Sequence, residues 1–287
     1  MRPRYVLTAA LLVCAALGLL HGATKGNNPQ FPSEKEWAEY PGQSNARVPP
    51  DFKEVHEWVW ARLRYSGGGG FGGGGRRGGF GGWGSWATDY LKGDRTLVSG
   101  IRRLTLLDTR SVEQTVDMDG SDDPYNWPFL YAVEVGRWDL DEQEVKQLRD
   151  FLNRGGFLMV DDFHCSDEWA DFMASFERVF PDREVVDIAD DDPVNTSVFV
   201  LPRNQQIPGF QYLRSGSMNE CQQRGRADPA PHYRTVYDSK QRLMVAIIHN
   251  SDLGDAIEYA DNPSYPQEFA QAAFQTLSNY VIYDLSH

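Results

Sequence analysis

Residues 128–165, PFLYAVEVGRWDLDEQEVKQLRDFLNRGGFLMVDDFHC, carry the clearest patterning of apolar and polar positions in the chain, and they predict a strand, a helix and a second strand in succession. Phe129, Tyr131, Val133 and Val135 alternate with Leu130, Ala132 and Glu134, a period of two rich in aromatic and β-branched residues. Asp139 with Glu142 three positions on fits a helix N-cap and capping box, and Val145, Leu148, Phe151 and Leu152 then form an apolar stripe of helical period. Gly155 and Gly156 stop the helix. The unbroken apolar run at 157–160 reads as a strand covered on both faces, joined to the first by a right-handed crossover. Asp161 and Asp162 follow at its carboxyl end, the edge where open α/β sheets place their ligands.

The same reading extends outward. Alternation at 55–65 and 112–118 predicts two further strands, and Leu97, Val98, Ile101 and Leu104 recur at helical spacing within 94–104. Ser166 is placed to cap a helix carrying Trp169, Phe172, Met173, Phe176 and Phe180 on one face. Residues 184–188 form a short strand, 205–231 have little periodicity, and the apolar run 243–248 predicts a second central strand ending in His249, Asn250, Ser251 and Asp252. A helix over 266–283 closes the chain. The fold class is α/β, a three-layer sandwich with a mostly parallel central sheet and helices on both faces.

Before this domain, residues 1–23 place Arg2 and Arg4 ahead of an apolar run at 6–20, as in a secretory signal; an uncleaved membrane anchor is the alternative. Residues 24–50 are polar and proline-rich, a linker, and 51–287 are expected to form one domain interrupted by a glycine-rich loop at 66–85, expected to be mobile. No later stretch is long and apolar enough to span a bilayer. The formal charge is −13, and removing residues 1–23 takes two arginines and no acid with it, leaving −15. Such a surface repels nucleic acid, and the glycine run lacks the Gly-Lys-Ser or Gly-Lys-Thr ending of a phosphate loop. Without the leader only Cys165 and Cys221 remain, an even pair in an oxidising compartment, either bonded to each other or left as two thiols.

Two strand ends hold the candidate chemistry: Asp161, Asp162, His164 and Cys165 on one, His249, Asp252, Asp255 and Glu258 on the other. Converging, they would bind a polar ligand such as a sugar or cell-envelope fragment, or a cell-envelope protein. A bland alternative has Asp162 and Asp252 capping helices. An enzymatic alternative has His164 or His249 as general base beside a carboxylate, with or without a divalent metal, performing hydrolysis; no compact HExxH motif accompanies them, and no cofactor is implied. Asp187 and Asp190, Asp191 and Asp192 lack the alternating ligands and glycine of a calcium loop and read as a solvated acidic turn. A third possibility is an interaction module anchored by Trp83 and Trp86.

Several stretches together resemble a bacterial family known as domain of unknown function 4159: ARLRY at 61–65, WPFLYAVEVG at 127–136, LRDFLNRGGFLMVDDF at 148–163, FPDR at 180–183, HNSDLGDAIEYAD at 249–261 and NYVIYDLSH at 279–287. The resemblance implies the class I glutamine amidotransferase-like fold, a flavodoxin-like sheet with helices on both faces. In amidotransferases a nucleophilic cysteine stands on a sharp turn straight after a buried strand, flanked by glycines. Here Asp161 or Asp162 occupies that place, and Cys165 comes later without the glycines. The resemblance thus implies a domain that has lost that chemistry and keeps a ligand or partner site.

Overall fold

The structure, a computed structural model, describes residues 49–67 and 85–287. The expected leader, most of the linker, Trp83 and all but the ends of the glycine-rich run lie outside the described residues. Seven strands, β1 (Ala61–Arg64), β2 (Gln114–Asp117), β3 (Phe129–Val133), β4 (Phe157–Phe163), β5 (Val186–Asp187), β6 (His232–Tyr237) and β7 (Leu243–His249), make one sheet in the order β2-β1-β3-β4-β7-β6-β5. β2, β1, β3, β4 and β7 pair in parallel, while β6 and β5 add an antiparallel edge. The chain therefore runs from β1 out to β2, then returns past β1 to β3, and the strand order reverses direction between β1 and β3.

Side-chain alternation sorts the core onto the two faces. Trp60, Phe129, Tyr131, Phe157, Met159, Ala246 and Ile248 pack beneath α1 (Lys92–Leu104), α6 (Leu253–Glu258) and α7 (Gln267–Ser286). Ala61, Leu63, Leu130, Ala132, Leu158, Val160, Val245 and Ile247 pack against α2 (Glu142–Asn153) and α3 (Cys165–Val179). Two four-residue helices, α4 (Phe210–Leu213) and α5 (Glu220–Gln223), lie in the aperiodic stretch. Phe172 of α3 shows what holds the second layer: it is fully buried and its ring lies 5.1 Å from each of Trp138, Phe163 and Phe176. Truncating such a side chain to alanine costs about 3–5 kcal/mol.

Local details differ from expectation where tertiary partners intervene. Helix α2 is capped by Asp141 with Glu144, not by Asp139 with Glu142. The two pairs have the same spacing, but the Asp139 N–H donates to the Ser66 carbonyl, and Glu144 accepts from the backbone N–H of both Asp141 and Ser66 (2.8 and 2.7 Å). β1 covers only the end of 55–65, since Trp58 makes a single bridge to Thr109. The start of α3 is Cys165, with Ser166 inside the helix and Glu168 accepting from the His164 N–H at 2.6 Å. Strand β6 and helix α6 were not anticipated.

A buried ion pair fixes the far side of the sheet edge. Arg62 on β1 donates to both oxygens of Asp94 on α1 (2.9 and 3.1 Å) and to the Thr88 carbonyl (3.1 Å). Trp60 also donates to Asp94. Breaking such a pair from one side strands a charge in the interior, at a cost of about 3–5 kcal/mol. This pins the Thr88–Asp89 turn over the carboxyl end of β1.

Candidate functional site

The carboxyl edge of the sheet is built from residues in unusual backbone conformations. β4 pairs regularly with β7 as far as Val160 and Ile247, then its register shifts before Phe163 meets His249. Within that bulge Asp162 is left-handed, at φ 54°. Glu134, straight after β3, is left-handed as well (φ 53°), and its N–H donates to the carbonyls of Asp161 and Asp162 (3.1 and 3.2 Å). Bulges of this kind re-aim side chains beside binding sites. Asp161 and Asp162 thus belong to β4 itself and do not follow it.

Two features result. The first is a cleft of about 450 Å³. Ser85 and Thr88 reach it after β1, Glu134 and Arg137 after β3, and Tyr212, Glu220 and Arg224 from the aperiodic stretch. Arg137 pairs with Glu134 at 2.9 Å and Arg224 with Glu220. The cleft therefore sits where the strand order reverses, the crevice in which doubly wound sheets take their ligands.

The second feature is an acidic chamber on the α1/α6 side. Asp161 is fully buried; its Oδ2 accepts from the Tyr131 hydroxyl (2.8 Å) and from the N–H groups of Leu253 and Gly254 (2.8 and 3.1 Å), and its Oδ1 has no partner. Asp252 caps α6 by accepting from the Asp255 N–H at 2.8 Å, and Asp255 accepts from the Phe210 N–H at 2.7 Å, tying the aperiodic stretch to the rim. Asp89 joins them: one oxygen from each of Asp89, Asp162 and Asp252 lies within 4.8 Å of the others, and the same holds for Asp89, Asp255 and Glu258. Burial pushes the Asp161 carboxyl up to about 7. Burial, reinforced by neighbouring carboxylates, holds Asp89, Asp162 and Asp252 well above the usual carboxylate range.

The histidines divide. His164 Nε2 lies 3.1 Å from Asp162 Oδ1, and its ring meets Tyr212 edge-on at 5.7 Å. Burial drives His164 down to about 3, with the charge of His249 acting the same way, so the ring stays neutral at neutral pH. His249 is not brought to the carboxylates. It points to the opposite face of the sheet, against Phe163 and Trp169, with Nε2 3.0 Å from the Cys165 carbonyl. Cys165 and Cys221 are joined by a disulfide. Beside it Asn250 accepts from the Cys165 N–H and donates to the carbonyls of Asp228 and Ala230 (2.8, 2.9 and 2.8 Å).

Of the residues singled out in the sequence, Asp161, Asp162, Asp252, Asp255 and Glu258 gather in one chamber, His164 touches it, and His249 stands apart. Asp89, Glu134, Arg137, Tyr212, Glu220 and Arg224 escaped sequence reasoning. Glu134 stood inside the predicted strand, which in the structure ends one residue earlier at Val133, and a charged side chain near that strand's carboxyl end was the available signal. Trp86 is half-buried, its ring 5.2 Å from Tyr90. The acidic turn has ordinary partners: Asp192 caps a turn through the Val194 N–H, and Asp190 pairs with Arg203.

Sheet order, layering and a polar crevice at the carboxyl edge define an α/β protein with a seven-stranded, mostly parallel sheet. Over residues 61–285 the chain matches the family described as a domain of unknown function (DUF4159), and it belongs to that family. No curated protein matches it. Among the described residues no helix is long and apolar enough to cross a membrane.

Proposed function

We propose that the protein is a secreted or periplasmic ligand-binding domain of amidotransferase-like architecture, without a cysteine nucleophile, that takes a small polar ligand of the cell envelope in the cleft between β1 and β3. The cleft carries this reading: paired cations and anions, Arg137 with Glu134 and Arg224 with Glu220, stand with Tyr212 around a volume of about 450 Å³. Such mixed charge offers donors and acceptors at once, as a sugar or a zwitterionic peptide end requires. Support for the architecture comes from the five parallel strands, whose order in chain sequence is 2-1-3-4-5, the flavodoxin order. Further support comes from Asp162, left-handed where an amidotransferase would carry its nucleophile. The Cys165–Cys221 bond favours an oxidising compartment and leaves no thiolate at the site.

Calorimetric titration with soluble disaccharide-peptides released from bacterial cell wall tests the reading. Saturable binding is expected, weakened about tenfold or more in Arg137→Ala. Absence of heat with every fragment up to about 1 mM would count against the cleft as a ligand site.

Hydrolysis is the second reading, and one contact favours it: Asp162 orients His164, whose Nδ1 has no partner. New products after incubation with the same fragments, seen by mass spectrometry and lost in His164→Gln, would replace binding by catalysis.

A further inference from the structure

The acidic chamber gathers more carboxyl groups than the fold can account for. Among the described residues no lysine or arginine hydrogen-bonds to Asp89, Asp162 or Asp252. Arg62, whose charge reaches Asp89, is spent on Asp94 and the Thr88 carbonyl, and Lys92 is bound to Asp261. Helix capping explains Asp252, the N–H contacts explain one oxygen of Asp161 and the Phe210 N–H explains Asp255, but none of these explains why Asp89 and Asp162 turn inward.

An observation outside the three carboxylates points to something bound there. Asp161 is completely buried, and while its Oδ2 takes three donors, its Oδ1 is left with none. An orphaned buried oxygen of this kind signals a missing water or ion. Gly254 adds a steric indication, because a Cβ on it would stand 2.2 Å from Asp89 Oδ2, itself buried and without a hydrogen-bond partner. A side chain at position 254 would push the Asp89 carboxylate out of its present place.

We propose that Asp89, Asp162 and Asp252 bind a divalent cation, with the free oxygen of Asp161 facing it or a water it holds. All-oxygen ligands select a hard ion. Opposite ligands of calcium at 2.3–2.6 Å stand roughly 4.6–5.2 Å apart, so three oxygens within 4.8 Å of one another can share one such ion. Calcium, which takes carboxylate oxygens in flexible geometry, suits such a set better than magnesium, which demands a near-ideal octahedron and keeps several of its waters. The contact of His164 with Asp162 Oδ1 orients that carboxylate from behind, as outer partners of metal ligands do. Asp89 and Glu258, both only partly buried, mark the side from which the ion enters.

The proposal does not rest on the cleft ligand, and its test uses none. Full-length protein, stripped with EDTA, is titrated with calcium, magnesium or manganese chloride in about 0.15 M salt, which screens loose binding to the acidic surface. Calcium is expected to raise Tm and give saturable heat with Kd on the order of 1 mM or tighter. Asp89→Asn and Asp252→Asn, close in shape to the originals, are each expected to weaken binding about 10- to 100-fold. Because each also removes repulsion, the metal-free variants should melt no lower than the metal-free parent. Absence of any heat or Tm shift in the parent up to about 10 mM of all three ions overturns the proposal without reference to the variants. Equal calcium affinity in parent and folded variants overturns it too, since the ion would then lie elsewhere.

Discussion

The disulfide between Cys165 and Cys221 closes a loop over a sequence separation of 56 residues, and the consequence of removing it can be worked from that length. The loop contains α3, β5, α4 and the start of α5, so it includes the cleft wall that bears Tyr212 and Glu220. In the chain-entropy description a closed loop of this size lowers the entropy of the unfolded chain enough to stabilise the fold by about 4 kcal/mol. Native contacts do not replace that term. In Cys165→Ala/Cys221→Ala the Asn250 bonds to Cys165, Asp228 and Ala230 keep the wall docked, so the loss acts through the denatured chain.

Urea unfolding of the oxidised parent and the double variant provides the assay. Expected are a fall in unfolding free energy of about 4 kcal/mol and, for a domain of this size, a Tm lower by roughly 8–16 °C. The slope against urea should rise, because the opened unfolded chain exposes more surface. A loss under about 1 kcal/mol with unchanged slope would refute the reasoning, since it would mean the denatured chain already holds residues 165 and 221 together.

Two further perturbations are sharply defined. Glu113 is buried, neither carboxylate oxygen accepts a hydrogen bond, Arg95 comes no nearer than 3.5 Å, and burial pushes the carboxyl up to about 8. Between its unfolded value near 4.5 and about 8 the folded state therefore holds a proton that the unfolded state lacks, and this group lowers stability by about 1.4 kcal/mol per pH unit as pH rises. Glu113→Gln should remove that slope, read as urea midpoints at pH 5 and 8, and profiles that stay parallel would show that the residue does not titrate there. Gly136 is buried between the cleft residues Glu134 and Arg137 in the chain, and an added Cβ would stand 2.4 Å from the Glu168 Cβ; Gly136→Ala should cost about 1–3 kcal/mol by overpacking, measurable by thermal melting.

The elements with the strongest periodicity were legible in the sequence because burial on both faces leaves nothing to compete with the apolar pattern. β4 and β7 are buried at every position, and LMVAII showed it. β6 was not legible, since His232 and Arg234 interrupt the apolar pattern of HYRTVY, although its antiparallel partner β7 follows it directly in the chain. The candidate site was half legible for a similar reason. Residues following a predicted strand, such as Asp161 and Asp162, could be nominated from position alone. Asp89 follows no predicted element, and the Arg62–Asp94 pair that carries its turn to the rim joins residues 32 apart. His249 shows the opposite failure. It does end a central strand on the right rim, but side chains on a strand alternate, and the parity that puts Ile248 with α6 turns His249 to the other face.

Backbone conformation gives the rim a meaning that burial alone does not. Asp89, Leu91, Glu134, Asp162, Cys165 and Asn250 all have positive φ, and all lie at or beside the carboxyl ends of β1, β3, β4 and β7. A β-carbon in that region costs on the order of 1 kcal/mol per residue, least for Asn and Asp. A fold selected only for stability would put glycine there, as it does at Gly155 after α2. Here the side chains are what the positions need: Asp162 faces the chamber, Glu134 pairs with Arg137 in the cleft, and Asn250 anchors the aperiodic wall. Positive φ also occurs at Asn204, Asp228 and Gln241, but around the parallel strands it gathers at the rim that shapes the chamber and the cleft. That distribution is expected of a site held rigid by its scaffold, and it makes the carboxyl rim, not the exposed surface, the place where this family's activity should be sought.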